Sequence, residues 1–152
     1  EYDKKQALEV RKPKSWCKSV SAFANGIGGY LIFGVADNND ILGLEDAERD
    51  AEIISEQIKE RLNPIPNFNL KFYKTEDNKK LIILEVYPGE QTPYYYDADG
   101  SLTAFYRVGN QSVPATPSKL IELVLKGSAT SYDSLKSKYS FNNMSFTKLK
   151  ST

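Results

Sequence analysis

The chain has no histidine, and only one cysteine, one methionine and one tryptophan among its 152 residues. Catalysis by Ser-His-Asp or Cys-His arrangements is thereby excluded, as is a zinc site with imidazole ligands. The lone thiol, Cys17, can form neither a thiolate zinc site nor an internal disulfide, and it suits a reducing compartment. A cytoplasmic location is expected. Long apolar runs are missing too: the longest, Tyr30 to Val35, is far too short to cross a bilayer, so no membrane partner and no secretory leader are expected. Gly-Lys-Ser and Gly-Lys-Thr do not occur, which rules out a phosphate loop of the Walker type. Any catalysis that remains would run on carboxylates, lysine or a hard, oxygen-bound metal such as magnesium.

With 40% hydrophobic and 26% charged residues, the composition fits one globular domain with a real core. Net charge is zero, yet charge is unevenly distributed. Lys4, Lys5, Arg11, Lys12, Lys14 and Lys18 crowd the start, residues 36–61 are strongly acidic, and the end from Lys119 turns basic again. If the two basic ends share a face, they form a nucleic-acid footprint; an ordinary solvated surface has the same composition.

Periodicity predicts a mixed α/β (α+β) domain, with a mixed β-sheet and about three helices. Leu8 and Val10 alternate with Glu9 and Arg11 as a first strand. Pro13 and Ser15 open a helix carrying Trp16, Val20, Phe23 and Ala24 on one stripe, closed by Asn25-Gly26 with Gly26 as a left-handed cap. Tyr30 to Val35 reads as a buried strand, and Ile41 to Leu44 as its hairpin return. A long helix over 45–62 buries Ile53, Ile54 and Ile58. Strands follow at 69–74 and 81–87, then a hairpin joining Tyr94-Tyr95-Tyr96 to 103–107. A last helix over 117–125 turns Leu120, Ile121 and Val124 inward, with Gly127 beyond its end.

Gly26, Gly28 and Gly29 invite a nucleotide-binding reading, but the order is helix, glycine, strand. A dinucleotide fold needs strand, glycine, helix, because the phosphate rests on amides at a helix N-terminus. Here the glycines follow the electronegative helix end, so they read as structural: Gly26 ends the helix, and Gly28 and Gly29 turn the chain into the strand. An anion nest of free glycine amides remains the alternative.

The stretch LEVRKPKSWCKSVSAFANGIGGYLIFGVADNNDILGL, followed by LNPIP, VYPGEQTPYYYDADGSLTAFYRVGNQSVPAT and LKGSATSYD, resembles the Schlafen/AlbA-like domain, the divergent AAA-type domain of bacterial transcriptional regulators. The resemblance runs to about Asp133, so residues 1–133 are read as the domain and 134–152 as a Lys/Ser-rich extension or the start of a linker. It implies DNA or RNA binding, with a further domain downstream. Some Schlafen relatives are metal-dependent RNA endonucleases with three acidic side chains. Carried over, Glu9 matches the acid of the family's Glu-Phe-Lys motif and Asp37 the second acid of Gly-Val-Asp-Asp, whereas Lys4 and Ala36 stand where acids are expected. With no histidine, no phosphate loop and an incomplete acidic set, an enzyme is disfavoured, and magnesium or manganese is expected only if the chain is a nuclease.

The expected activity is therefore nucleic-acid binding, DNA or RNA, as a module of a transcriptional regulator. Lys12, Lys14, Lys18 and Arg107 would meet phosphates, Asn110 and Ser112 would add loop donors, and Tyr95 would stack on a base. Trp16 and Phe23 are expected in the core, and Asn25 at the helix end. Two rivals remain. One is a metal-dependent ribonuclease using Glu9 and Asp37; the other is an oligomerisation or sensor domain that binds no nucleic acid, with the tyrosine-rich hairpin as the homo-oligomer interface.

Overall fold

The computed structural model describes residues 1–129; the expected boundary at 133 and the extension over 134–152 lie outside them. Elements run β1 (Tyr2–Lys5), α1 (Lys14–Ala24), β2 (Gly29–Phe33), α2 (Ala47–Arg61), β3 (Leu62–Asn63), β4 (Phe68–Lys74), β5 (Lys80–Val86), β6 (Tyr95–Ala98), β7 (Ser101–Val108) and β8 (Gln111–Pro114). A third helix, α3, follows over 117–129. No helix among the described residues is long and apolar enough to cross a membrane.

The expected α+β domain with three helices is what the chain forms, but its strands divide between two sheets. One has the order β1-β2-β5-β4, with only β1 and β2 parallel; the other is the antiparallel set β3-β6-β7-β8. The reason lies in α1. Trp16, Cys17, Ser19, Val20, Ser21, Ala22, Phe23 and Ala24 are all buried, so this helix is covered on two sides rather than along one stripe, leaving Lys14 and, in part, Lys18 open to solvent. A single sheet covers one side of a helix, and the second sheet covers the other. On the first side Trp16 meets Phe33 of β2 edge to face, with ring centroids 5.9 Å apart.

On the second side two polar residues, Ser21 of α1 and the C-cap Asn25, splice into the strands. Asn25 Nδ2 donates to the Tyr94 and Phe105 carbonyls at 3.0 and 2.9 Å, and its Oδ1 accepts from the Tyr94 amide at 2.7 Å. Ser21 Oγ donates to the Tyr94 carbonyl and accepts from the Phe105 amide. The β6–β7 ladder ends at Tyr95 and Ala104, and these two side chains take over the backbone groups just beyond it.

The first strand lies earlier than the pattern suggests. Leu8 packs against the core, but Val10 is 46% exposed, and the segment after β1 is tied into successive turns by Lys12 N–H to the Glu9 carbonyl and Ser15 N–H to the Lys12 carbonyl. The positive φ after α1 falls on Gly28 (+82°), not Gly26, because Gly28 makes the turn into β2 against the Val86 carbonyl and Pro88. Gly29 lies so close to the Phe23 ring that a side chain there would overlap it.

The other apolar helices follow their stripes only in part. Helix α2 starts on Asp46, whose side chain accepts from the Arg49 amide, and buries Ala47, Ala51, Ile54 and Ile58. In α3 the buried residue is Leu123, at 2%, while Ile121, Val124 and Leu125 are exposed, so the expected inward face is rotated. Gly127 explains the rotation: it lies within the helix, and a side chain there would run into the Thr92 carbonyl. The Thr92 hydroxyl in turn donates to the Leu123 carbonyl at 2.6 Å.

Candidate nucleic-acid interface

Strand β1 is an edge strand, and its inward-facing Asp3 reaches toward the second sheet. Both Asp3 oxygens accept from the Arg107 guanidinium, at 2.9 and 3.1 Å, a bidentate pair whose arginine side chain is 6% exposed. Ser19 Oγ donates to Asp3 at 2.7 Å, and Ser112 Oγ lies 2.9 Å from both Ser19 Oγ and Arg107 Nη1. The guanidinium stacks 5.1 Å from the centre of the Phe23 ring. One staple thus joins β1, α1, β7 and β8.

Over this staple lies an open groove of about 970 Å³. Its walls are Glu1 to Lys5, Lys18, Asp37 and the β7–β8 tip, Gly109 to Ser112. The tip, read from sequence as a polar loop, is a tight hairpin in which Arg107 pairs with Ser112. Lys4 Nζ donates to the Asp37 carbonyl at 3.1 Å and also meets the Asn39 side chain, and Lys5 Nζ donates to the Ser15 carbonyl at 3.0 Å.

Beside the groove is a shelf of about 460 Å³ lined by Arg11, Lys12, Pro13, Lys14, Ser15, Lys18 and Tyr96. No carboxylate lines it. Lys18 lines both sites and makes them continuous. The ion pairs among the described residues take their cations from elsewhere, Arg61, Lys71, Lys79, Lys80, Arg107 and Lys119 among them. The lysines and arginine of the shelf are in none of them.

The structure thus brings Lys12, Lys14 and Lys18 together on the shelf and Arg107, Asn110 and Ser112 around the groove, with Lys18 at the junction. Arg107 and Ser112 are already bonded to each other and to Asp3 and Ser19. Tyr95 is half-buried opposite Ala104 and lines neither site, while Tyr94 and Tyr96 are 5% exposed. Burial also raises the Tyr96 hydroxyl above its ordinary value. Sequence reasoning missed Asp3, Ser19 and Arg11; the signal for Asp3 was an acid inside an otherwise basic segment.

The acidic pair does not fit a metal. Asp37 is exposed in a turn beside the Lys4 ammonium, Glu9 is exposed in the segment after β1, and the described residues hold no group of three or more His, Cys, Asp or Glu able to grip an ion. A hard divalent cation needs several oxygen ligands in near-octahedral array. Here a lysine stands beside one of the two acids.

A family model, Schlafen, AlbA_2, matches residues 1–116. Among solved structures, the N-terminal domain of a DNA-helicase RecG-related protein from Nitrosomonas europaea is similar at 25% identity and a TM-score of 0.53, over 76% of this chain and 82% of that one. A protein from Corynebacterium diphtheriae is similar at 17% identity and a TM-score of 0.55. The match covers 81% of this chain but 23% of that protein, a likeness of fold.

Proposed function

This chain belongs to the Schlafen, AlbA_2 family, and from that premise we propose that it binds DNA or RNA through the phosphate backbone. One observation carries the reading: Arg11, Lys12, Lys14 and Lys18 form a carboxylate-free shelf, continuous with a polar groove, and none of the four enters an ion pair among the described residues. Cations that neutralise no carboxylate of their own are available to neutralise phosphates and release the counterions around them. Asn110 and Gln111 at the hairpin tip add amide donors along the track. The similarity to a domain of a DNA-helicase-related protein supports the same partner class.

The test is fluorescence anisotropy with labelled DNA and RNA, duplex and single-stranded, across a salt series. Engagement of about four phosphates on a duplex gives a fall in affinity of about 100-fold between about 50 and 200 mM salt. Lys12→Glu with Lys14→Glu should abolish binding, and Lys59→Glu with Lys74→Glu, on other elements, should not. Absence of binding at low salt to all four ligands would overturn the proposal.

A further inference from the structure

Strand β4 ends the first sheet and, at seven residues, is the longest open edge among the described residues; β1 and β8 have four residues each and β3 has two. Its register with β5 fixes which backbone groups are free. The Tyr87 amide donates to the Asn67 carbonyl at 3.0 Å and the Thr75 amide to the Lys79 carbonyl at 2.9 Å, so the hydrogen-bonded pairs fall on odd-numbered positions of β4. Phe68, Leu70, Phe72 and Lys74 therefore turn their amides and carbonyls away from β5, where no strand of the described residues receives them. The devices that keep a natural edge single are weak here. The register runs from 68 to 74 without a bulge, no proline interrupts it, and Lys71 stands on the outer face with its ammonium 3.7 Å from Glu85. On the core face Phe68, Leu70 and Phe72 lie opposite Val86, Leu84 and Ile82, yet Phe72 at the rim is 56% exposed. Unpaired backbone beside uncovered apolar side chains is what strand addition uses.

We propose that β4 pairs antiparallel with β4 of a second copy of this chain about a two-fold axis, so that two four-stranded sheets become one. The strand is complementary to itself. With Leu70 on the axis, Phe68 of each copy meets Phe72 of the other and Lys71 meets Asn69, so apolar faces apolar and no like charges stand opposite each other. About six backbone hydrogen bonds form, two at each of the three paired positions made by 68, 70 and 72. Centring the pair on Lys71 would oppose two ammonium groups, which selects the register. An acidic partner strand fits less well, because Lys71 already has Glu85 and the edge itself offers Phe68, Leu70 and Phe72. The tyrosine-rich hairpin does not compete as a strand edge, since β6 has a strand on either side, β3 and β7. The contact is the same patch on both copies and closes on itself. It lies across the sheet from β1 and the groove, so both grooves stay open and the inference does not rest on the nucleic-acid reading.

The test is sedimentation velocity of the full chain from about 5 to about 500 µM, where one strand pair, a small interface, should give a reversible monomer–dimer equilibrium. Amide hydrogen exchange by nuclear magnetic resonance locates the contact. Exchange at Leu70 and Phe72 should slow at least about fivefold as concentration rises, whereas Lys71 and Tyr73, held by β5, should be slow throughout. Phe72→Lys, at an exposed position, should weaken association at least about tenfold with an unchanged circular dichroism spectrum. Ile121→Lys, on the exposed side of α3, should leave association as it is. A monomer at every concentration with fast exchange at Leu70 and Phe72 would overturn the proposal. So would a monomer in which those two amides are slow at every concentration, since the edge would then be covered by the chain's own residues. A dimer that survives Phe72→Lys, with no change of exchange at Leu70, would place the interface elsewhere and overturn it as well.

Discussion

Replacement of Asn25 by alanine tests whether the two sheets are joined through α1 as described. The substitution leaves the Tyr94 amide and the Phe105 carbonyl without the partner they have, while the Tyr94 carbonyl keeps the Ser21 hydroxyl. An orphaned buried polar group costs about 1–3 kcal/mol, so two of them cost about 2–6 kcal/mol. That is a large part of the roughly 5–15 kcal/mol that holds a domain together. Urea unfolding, followed by far-ultraviolet circular dichroism and by Trp16 emission, should show a lower midpoint at unchanged slope. Asn25→Asp sharpens the test, because the side chain keeps its shape but offers only acceptors to two carbonyls at neutral pH. Burial and those carbonyls raise its pKa in the folded state, so its stabilising protonated form is present at low pH and lost as pH rises through the folded value. The deficit against the native chain should therefore shrink as pH falls toward about 4. A loss below about 1 kcal/mol in the alanine variant, or an aspartate variant as stable as the native chain at neutral pH, would refute the splice.

Three further outcomes follow from the packing. Burial pushes the Cys17 thiol well above its ordinary value, so its contribution is present below about pH 8.5 and lost as pH rises, because the unfolded thiol ionises first; the native chain should lose about 2 kcal/mol between about pH 8 and 10 that Cys17→Ala does not, by denaturant titration at each pH. Gly127→Ala should lower the melting temperature through the clash with the Thr92 carbonyl, costing about 1–3 kcal/mol, whereas Leu125→Ala, on the exposed side of α3, should leave it nearly unchanged in calorimetry. Asp46→Ala should cost about 1 kcal/mol of stability in chemical denaturation by removing the α2 cap.

Much of the fold was legible because period and burial agree. The spacing of Trp16, Val20 and Phe23 located α1, and the strands at 68–74 and 80–86 carry strong β patterns between turn residues. The first strand was not legible. Tyr2–Lys5 is mostly polar; it pairs with β2 along the backbone and is fastened by Asp3 to Arg107 about a hundred positions away, which no local pattern reports. The α3 face was misread for a related reason: Ile121 and Val124 have the right spacing, but Gly127 against Thr92 decides which side approaches the core. At the site, Lys12, Lys14 and Lys18 were legible as a cluster of charge. That Arg107 serves Asp3, and that Tyr96 rather than Tyr95 lines the shelf, depends on which strand faces which.

The groove's walls come from different sheets, fastened beneath by the Asp3–Arg107 pair, and the outer wall ends in a hairpin tip that touches little. Nothing lies within 4 Å of where a side chain at Gly109 would begin, and Asn110 is exposed. With Gly109 held to glycine by its φ of +62°, the exposed Asn110 is the tip position free to change at little cost to folding, while the floor beneath is constrained by four elements at once. Such a division lets one scaffold acquire new ligand preferences by small edits at a single turn.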